Sequence, residues 1–154
     1  MPPWCLWKVG HFASISRSVI HFPSCAPLVA LDPSKGLDAR AARQTMTIRH
    51  LLTHTAGLVY WTPLHDTDAL SAAYRVRGIT PGNYGAGLIR PGYGPQAVGL
   101  DDMVKRLAEV PLAAEPGTVW RYSVGLDVMG LVIQRVTGKP LGWSIRGGAS
   151  TSSS

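Results

Sequence analysis

Residues 115–141 read "EPGTVWRYSVGLDVMGLVIQRVTGKPL". A Pro116-Gly117 turn signal comes first, and a short extended run follows. From Gly125 onward, Leu126, Met129, Val132, Ile133 and Val136 recur at helical spacing and predict a helix with one apolar stripe. Gly138 is placed to cap that helix, and Pro140 prevents its continuation. Tyr122 and Ser123 stand between the turn and the helix. On the local pattern alone, Tyr122 anchors its ring on the core and Ser123 caps the helix.

Working outward, "GLDDMVKRLAEVPL" (99–112) is an amphipathic helix with Leu100, Met103, Val104 and Leu107 on its buried face. Asp101 and Asp102 lie in its first turn, where they suit the helix dipole. In "TMTIRHLLTHTAGL" (45–58), Thr47 is the N-cap and Ile48, Leu51 and Leu52 form one face. Gly57 is placed to end that helix with positive φ. "DTDALSAAYRVRG" reads as a helix capped by Asp66 or Thr67. The Pro-Gly pairs of "TPGNYGAGLIRPGYGP" mark a long loop, a kind of segment that often covers a site.

The composition divides the chain into three zones. Residues 1–30 have no convincing period and are left unassigned and expected to be poorly ordered; 31–141 read as folded protein; 142–154 form a disordered Gly/Ser-rich tail. Of the 154 residues, 45% are hydrophobic and 16% charged, enough apolar material for a core. The net charge of +6 comes from arginines scattered along the chain, with no basic tract, so no nucleic-acid partner is expected. No apolar run reaches the ~18–20 residues of a membrane span. The N-terminal stretch is broken by Lys8, His11 and Arg17 and does not read as a signal peptide, which favours a cytoplasmic location. Cys5 and Cys25 leave a disulfide open.

Several side chains could carry chemistry. His50 and His54 lie four apart, with His65 beyond, as zinc ligands on a helix would. The glutamate of a metalloprotease helix is missing, since Leu51 and Leu52 occupy the intervening positions, so no metal or other cofactor is expected. His54 reads instead as a partner of the helix's exit turn. Asp101 with Asp102, and Glu109 with Glu115, read as solvated surface. Lys8-Val9-Gly10 and Ser34-Lys35 are isolated short matches to hydrolase fragments.

Two segments together resemble the serine beta-lactamase and penicillin-binding-protein-like superfamily, with closest likeness to its family VIII carboxylesterases and class C beta-lactamase relatives. They are "MTIRHLLTHTAGL" (46–58) and "EPGTVWRYSVGLDVMGLVIQRVTGKPL" (115–141), in the family's order and at its separation. The resemblance implies an α+β fold of the beta-lactamase/transpeptidase type: an antiparallel sheet flanked by helices, plus a helical lobe, with the active site between. It implies a small-molecule ester, amide or beta-lactam substrate, cleaved through an acyl-enzyme. The family's Ser-x-x-Lys motif supplies the nucleophile, a Tyr-x-Asn-like motif supplies a proton-transferring tyrosine, and a late Lys/His/Trp-x-Gly strand completes the site. A serine hydroxyl is a weak nucleophile until a neighbouring base takes its proton. A tyrosine can serve only when a nearby cation draws its pKa below ~10.

Tyr122 is the one catalytic position that carries over. Val124 stands where penicillin-recognising members have asparagine, which tilts the reading toward the esterases. The residues three before Lys8, Lys35, Lys105 and Lys139 are Cys5, Asp32, Asp102 and Val136, so no Ser-x-x-Lys occurs. The late strand motif is missing as well. The expectation is a partial, mostly α-helical chain with long loops and most of the core sheet absent, inactive alone. The alternative is a non-catalytic binding module that self-associates through exposed apolar faces.

Overall fold

The computed structural model describes residues 8–9, 20–21, 27–61, 68–79, 94–95 and 97–141. Their element order is β1 (Lys8–Val9), β2 (Ile20–His21), β3 (Leu28–Ala30), β4 (Ala39–Ala41), α1 (Ile48–Leu52), α2 (Ala69–Val76), α3 (Leu100–Leu107) and α4 (Gly125–Thr137). The strands form two antiparallel pairs, β1 with β2 and β3 with β4, the second in the register Leu28–Ala41, Val29–Arg40 and Ala30–Ala39. Leu112 adds a parallel bridge on the outer side of β3: Ala30 N–H donates to its carbonyl at 2.8 Å and its own N–H donates to Leu28 O at 2.7 Å. The chain is thus an α+β piece with few strands and several helices. None of the described helices is long and apolar enough to cross a membrane. Cys5, Cys25, His65 and the tail lie outside the described residues.

Helix α1 begins as the sequence predicts. Thr47 is extended, its hydroxyl accepts the His50 N–H at 3.2 Å, and His50 Nδ1 accepts the Thr47 N–H at 3.3 Å. This is a capping box with histidine in the place usually held by Glu or Gln. Ile48 and Leu51 are buried, but Leu52 is largely exposed, so the buried face is narrower than expected. The helix also ends earlier than expected. His54, with φ of 54°, takes the left-handed position; its N–H donates to Leu51 O at 3.3 Å, and Thr55 N–H donates to His50 O at 2.9 Å. That is the bond pair of a Schellman ending, normally built on glycine. Gly57 does have positive φ, 78°, but for another reason: a Cβ there would lie 2.2 Å from Ala114 O.

Helix α2 is capped by Asp68, which is extended and whose Oδ1 accepts the Ser71 N–H at 2.6 Å; Asp66 and Thr67, the expected caps, lie outside the described residues. Helix α3 buries Met103, Val104 and Leu107 as expected, with Leu100 packed at the edge of the core. Arg106 joins the two helices: one guanidinium nitrogen donates to Arg77 O at 2.7 Å and the other to Asp102 at 2.7 Å.

Helix α4 corrects the expected stripe. Its buried residues are Gly125, Val128, Gly130, Leu131 and Val132, while Leu126 and Val136 are half exposed. The cause is close packing at glycine. A Cβ on Gly125 would stand 2.7 Å from Leu51 O, and one on Gly130 would stand 2.9 Å from Leu141 Cδ2. Hydropathy patterning gives glycine little weight, so the close approach of Gly125 to α1 and of Gly130 to Leu141 does not show in the apolar stripe. Gly138 caps the helix in the left-handed region, as expected.

The core runs through Val29, Met46, Leu51, Trp61, Leu70, Tyr74, Met103 and Val128. Tyr74 is fully buried, and its hydroxyl accepts the Val59 N–H at 3.2 Å. Burial, against a smaller opposing effect of that bond, pushes its phenol up to about 12. Glu115, expected at a solvated surface, is a partly buried junction instead. It pairs with Arg40 and accepts the Arg43 and Gln44 N–H groups at 3.1 and 3.4 Å, tying the end of β4 to the approach to α4. The Arg40 bond, foremost, holds its carboxyl below the usual range.

Two consequences can be measured. Tyr74→Phe orphans the buried Val59 N–H and should lower unfolding stability by about 1–3 kcal/mol in urea titration, with an unchanged m-value. Burial, then the Arg49 charge, depresses His50 below its ordinary 6.5. The unfolded chain therefore takes up the proton first, and stability present above about pH 6.5 falls as pH drops below it. His50→Gln keeps the capping box but cannot titrate. It should flatten that acid slope below about pH 6.5 while preserving stability at neutral pH.

Candidate active site around Tyr122

The segment before α4 is non-helical and is fastened to the exit of α1. Gly117 N–H donates to Thr55 O at 2.7 Å, Arg121 N–H to His54 O at 2.9 Å and Val124 N–H to Val59 O at 3.3 Å. Gly117 fits because its φ is 86° and a Cβ there would approach His50 Nε2 to 3.0 Å. The fastening turns Tyr122 outward. Its side chain is 53% exposed, which corrects the core-anchor reading that the local pattern gives. Two rings flank it: His54, with centroids 4.7 Å apart and planes 39° apart, and Tyr60 at 4.9 Å. Trp120 stands edge-on to His54 at 6.4 Å and is itself exposed.

Ser123 turns the other way and is 3% exposed. Its Oγ lies 3.2 Å from His54 Nδ1, and its N–H donates to the same nitrogen at 3.2 Å. Gly125 N–H donates to that Oγ at 3.3 Å. Ser123 therefore does receive the helix's first N–H, although Val124 occupies the N-cap position itself. The Ser–His distance invites comparison with a nucleophile and its base. Burial decides against it, since a hydroxyl enclosed by His54 and the start of α4 presents no oxygen to a substrate. Val124 is fully buried, so the position that holds asparagine in penicillin-recognising relatives here faces the core.

Charges border the site at a distance. Arg121 Nη2 reaches Asp68 Oδ2 at 3.4 Å, joining the Tyr122 segment to the cap of α2. Burial raises the Asp68 carboxyl, but the Ser71 and Arg121 bonds together hold it below its ordinary value. The other carboxylates singled out in the sequence are engaged in pairs away from Tyr122. Asp101 bonds Arg135 at 2.6 Å, Asp102 bonds Arg106, and Glu109 approaches Arg77 at 3.5 Å.

The histidines do not form the helical pair their spacing suggested. His54 has left the helix, and each Nδ1 is held by a backbone N–H, from Thr47 for His50 and from Ser123 for His54. Among the described residues no three His, Cys, Asp or Glu side chains converge as metal ligands. Lys8-Val9 forms β1, and Ser34 and Lys35 bond Asp32 in the β3–β4 turn. What sequence reasoning missed was the contact of His54 with the Tyr122 segment. The available signal was the pairing of "HTAG" with "RYS" in the two matched segments.

A model described as Beta-lactamase matches residues 21–147. Esterase EstB of Burkholderia gladioli is 38% identical over 103 residues, covering 67% of this chain and 23% of that protein. Lovastatin esterase of Penicillium rubens is 34% identical over 110 residues, covering 71% of this chain and 23% of its own length. Among solved structures, "EstCE1, a hydrolase with promiscuous acyltransferase activity" superposes with a TM-score of 0.52 at 30% identity, covering 86% of this chain and 28% of that one. The chain spans about a quarter of the length of the relatives it matches. The match across the Tyr122 segment and most of the folded residues places it: the chain belongs to the Beta-lactamase family.

Proposed function

We propose that this chain supplies the tyrosine-bearing side of a serine ester hydrolase site, with Tyr122 as its proton-transfer residue. The observation that carries the reading is the outward phenol of Tyr122, set between His54 and Tyr60 while both residues after it are buried. The esterase relatives support an ester as the substrate. In the reaction, a serine Oγ attacks the ester carbonyl carbon and gives up its proton, the C–O bond to the alcohol breaks, and the departing alkoxide takes a proton. Water then attacks the acyl-enzyme and releases the acid. A phenol at the mouth of the site carries the proton between these oxygens. The serine and lysine of a Ser-x-x-Lys motif come from outside this sequence, and the chain alone does not turn over.

Residues 46–141 grafted in place of the corresponding segment of esterase EstB test this. The graft should hydrolyse p-nitrophenyl esters. Tyr122→Phe should lower its kcat by about 10²–10⁴-fold with KM unchanged. Equal kcat in the two folded grafts would refute the role. The unmodified chain should show neither turnover nor a fluorophosphonate adduct, and an adduct on any of its serines would overturn the statement that it is inactive alone.

A second reading, a self-associating module, is favoured by the half-exposed Leu126 and Val136 on α4 and by Leu52 on α1. It requires a concentration-dependent dimer in sedimentation velocity that Leu126→Glu abolishes.

A further inference from the structure

We propose that His54 is the positioning residue for Tyr122, an inference that rests on the proton-transfer reading of that tyrosine. The geometry is a double grip. The His54 carbonyl accepts the Arg121 N–H at 2.9 Å, and its Nδ1 accepts the Ser123 N–H at 3.2 Å. One residue thus holds the backbone on both sides of Tyr122. The same imidazole lies 4.7 Å from the phenol ring and, with Tyr60 at 4.9 Å, limits the rotations left to it. Proton transfer depends on such placement, since the phenol oxygen must reach its partner within hydrogen-bond range.

The backbone of His54 supports a task beyond the turn. Its φ of 54° lies where glycine rests without strain and other residues are uncommon. A turn alone would be better served by glycine. An imidazole there aims Nδ1 at Ser123, and for that nitrogen to accept, the ring proton of the neutral form sits on Nε2. Asparagine offers a close substitute: it tolerates the left-handed region, and its Oδ1 branches from Cγ as Nδ1 does.

The experiment uses His54→Gly, which suits the turn but removes the acceptor, and His54→Asn, which restores one. In the full chain, hydrogen exchange at the Ser123 amide should quicken about tenfold in His54→Gly while unfolding stays cooperative, and His54→Asn should restore protection. In the esterase EstB graft, His54→Gly should lower kcat about 10²-fold with KM unchanged, and His54→Asn should recover most of the loss. A role confined to holding the turn would leave kcat untouched in the glycine variant. Unchanged Ser123 exchange in folded His54→Gly overturns the grip. Unchanged kcat in His54→Gly, where Tyr122→Phe loses it, overturns the inference and leaves the proton-transfer reading standing. Unchanged kcat in both variants overturns that reading, and the inference with it.

Discussion

The turn over Thr53–Thr55 fixes the surface around Tyr122. A non-glycine residue in the left-handed region costs on the order of 1–3 kcal/mol. At His54 that cost is offset by several hydrogen bonds, each contributing about 0.5–1.5 kcal/mol. Two close the end of α1, one joins the His54 carbonyl to Arg121, and one joins its ring to the Ser123 backbone. The balance favours the turn only while the segment before α4 is in place, and that segment is directed only while the turn holds. Local strain and tertiary contact therefore stabilise each other.

The same logic explains how a chain with such short strands stays ordered here. Much of its backbone bonding runs between irregular segments. Leu112 bridges to β3, Ala113 to Gly57, Gly117 to Thr55 and Val124 to Val59. Two of these approaches need glycine: Gly57 clears Ala114 O, and Gly117 clears the His50 ring. Tyr74 and Glu115 serve as side-chain counterparts, the first holding the Val59 N–H inside the core and the second holding the N–H groups after β4. Tyr74 thereby gives a buried N–H a partner that no regular ladder provides, and Glu115 does the same for two N–H groups at the surface.

The elements legible in the sequence were those set by local rules. The Thr47 cap, the buried triad of α3 and the Gly138 stop follow from residues within a few positions of one another. The misreadings arose where a distant contact decided. Gly125 and Gly130 turn α4 toward its neighbours through small size, which apolar periodicity does not register. Asp68 caps α2 through one carboxylate oxygen while its other oxygen meets Arg121 across the fold. At the site, motif likeness singled out Tyr122, but nothing local could show that His54 meets it from a separate segment. The strands escaped notice because three residues carry too little alternation to read.

The burial pattern after Tyr122 also accounts for Val124. Ser123 and Val124 both point inward, and the Val124 side chain is wholly enclosed where α4 begins against α1. An amide side chain at that point would have to find buried partners or carry a desolvation penalty of about 1–3 kcal/mol. Valine fills the space at no such cost. With this backbone, the residue two after the tyrosine contributes packing at the α1–α4 contact, and the outward surface falls to Val119, Trp120 and Tyr122 itself, all more than half exposed. The departure from asparagine is therefore coupled to the fold. Among the described residues that follow the turn, the position after Ser123 is given over to packing, and the outward surface beside it is made of rings and apolar side chains.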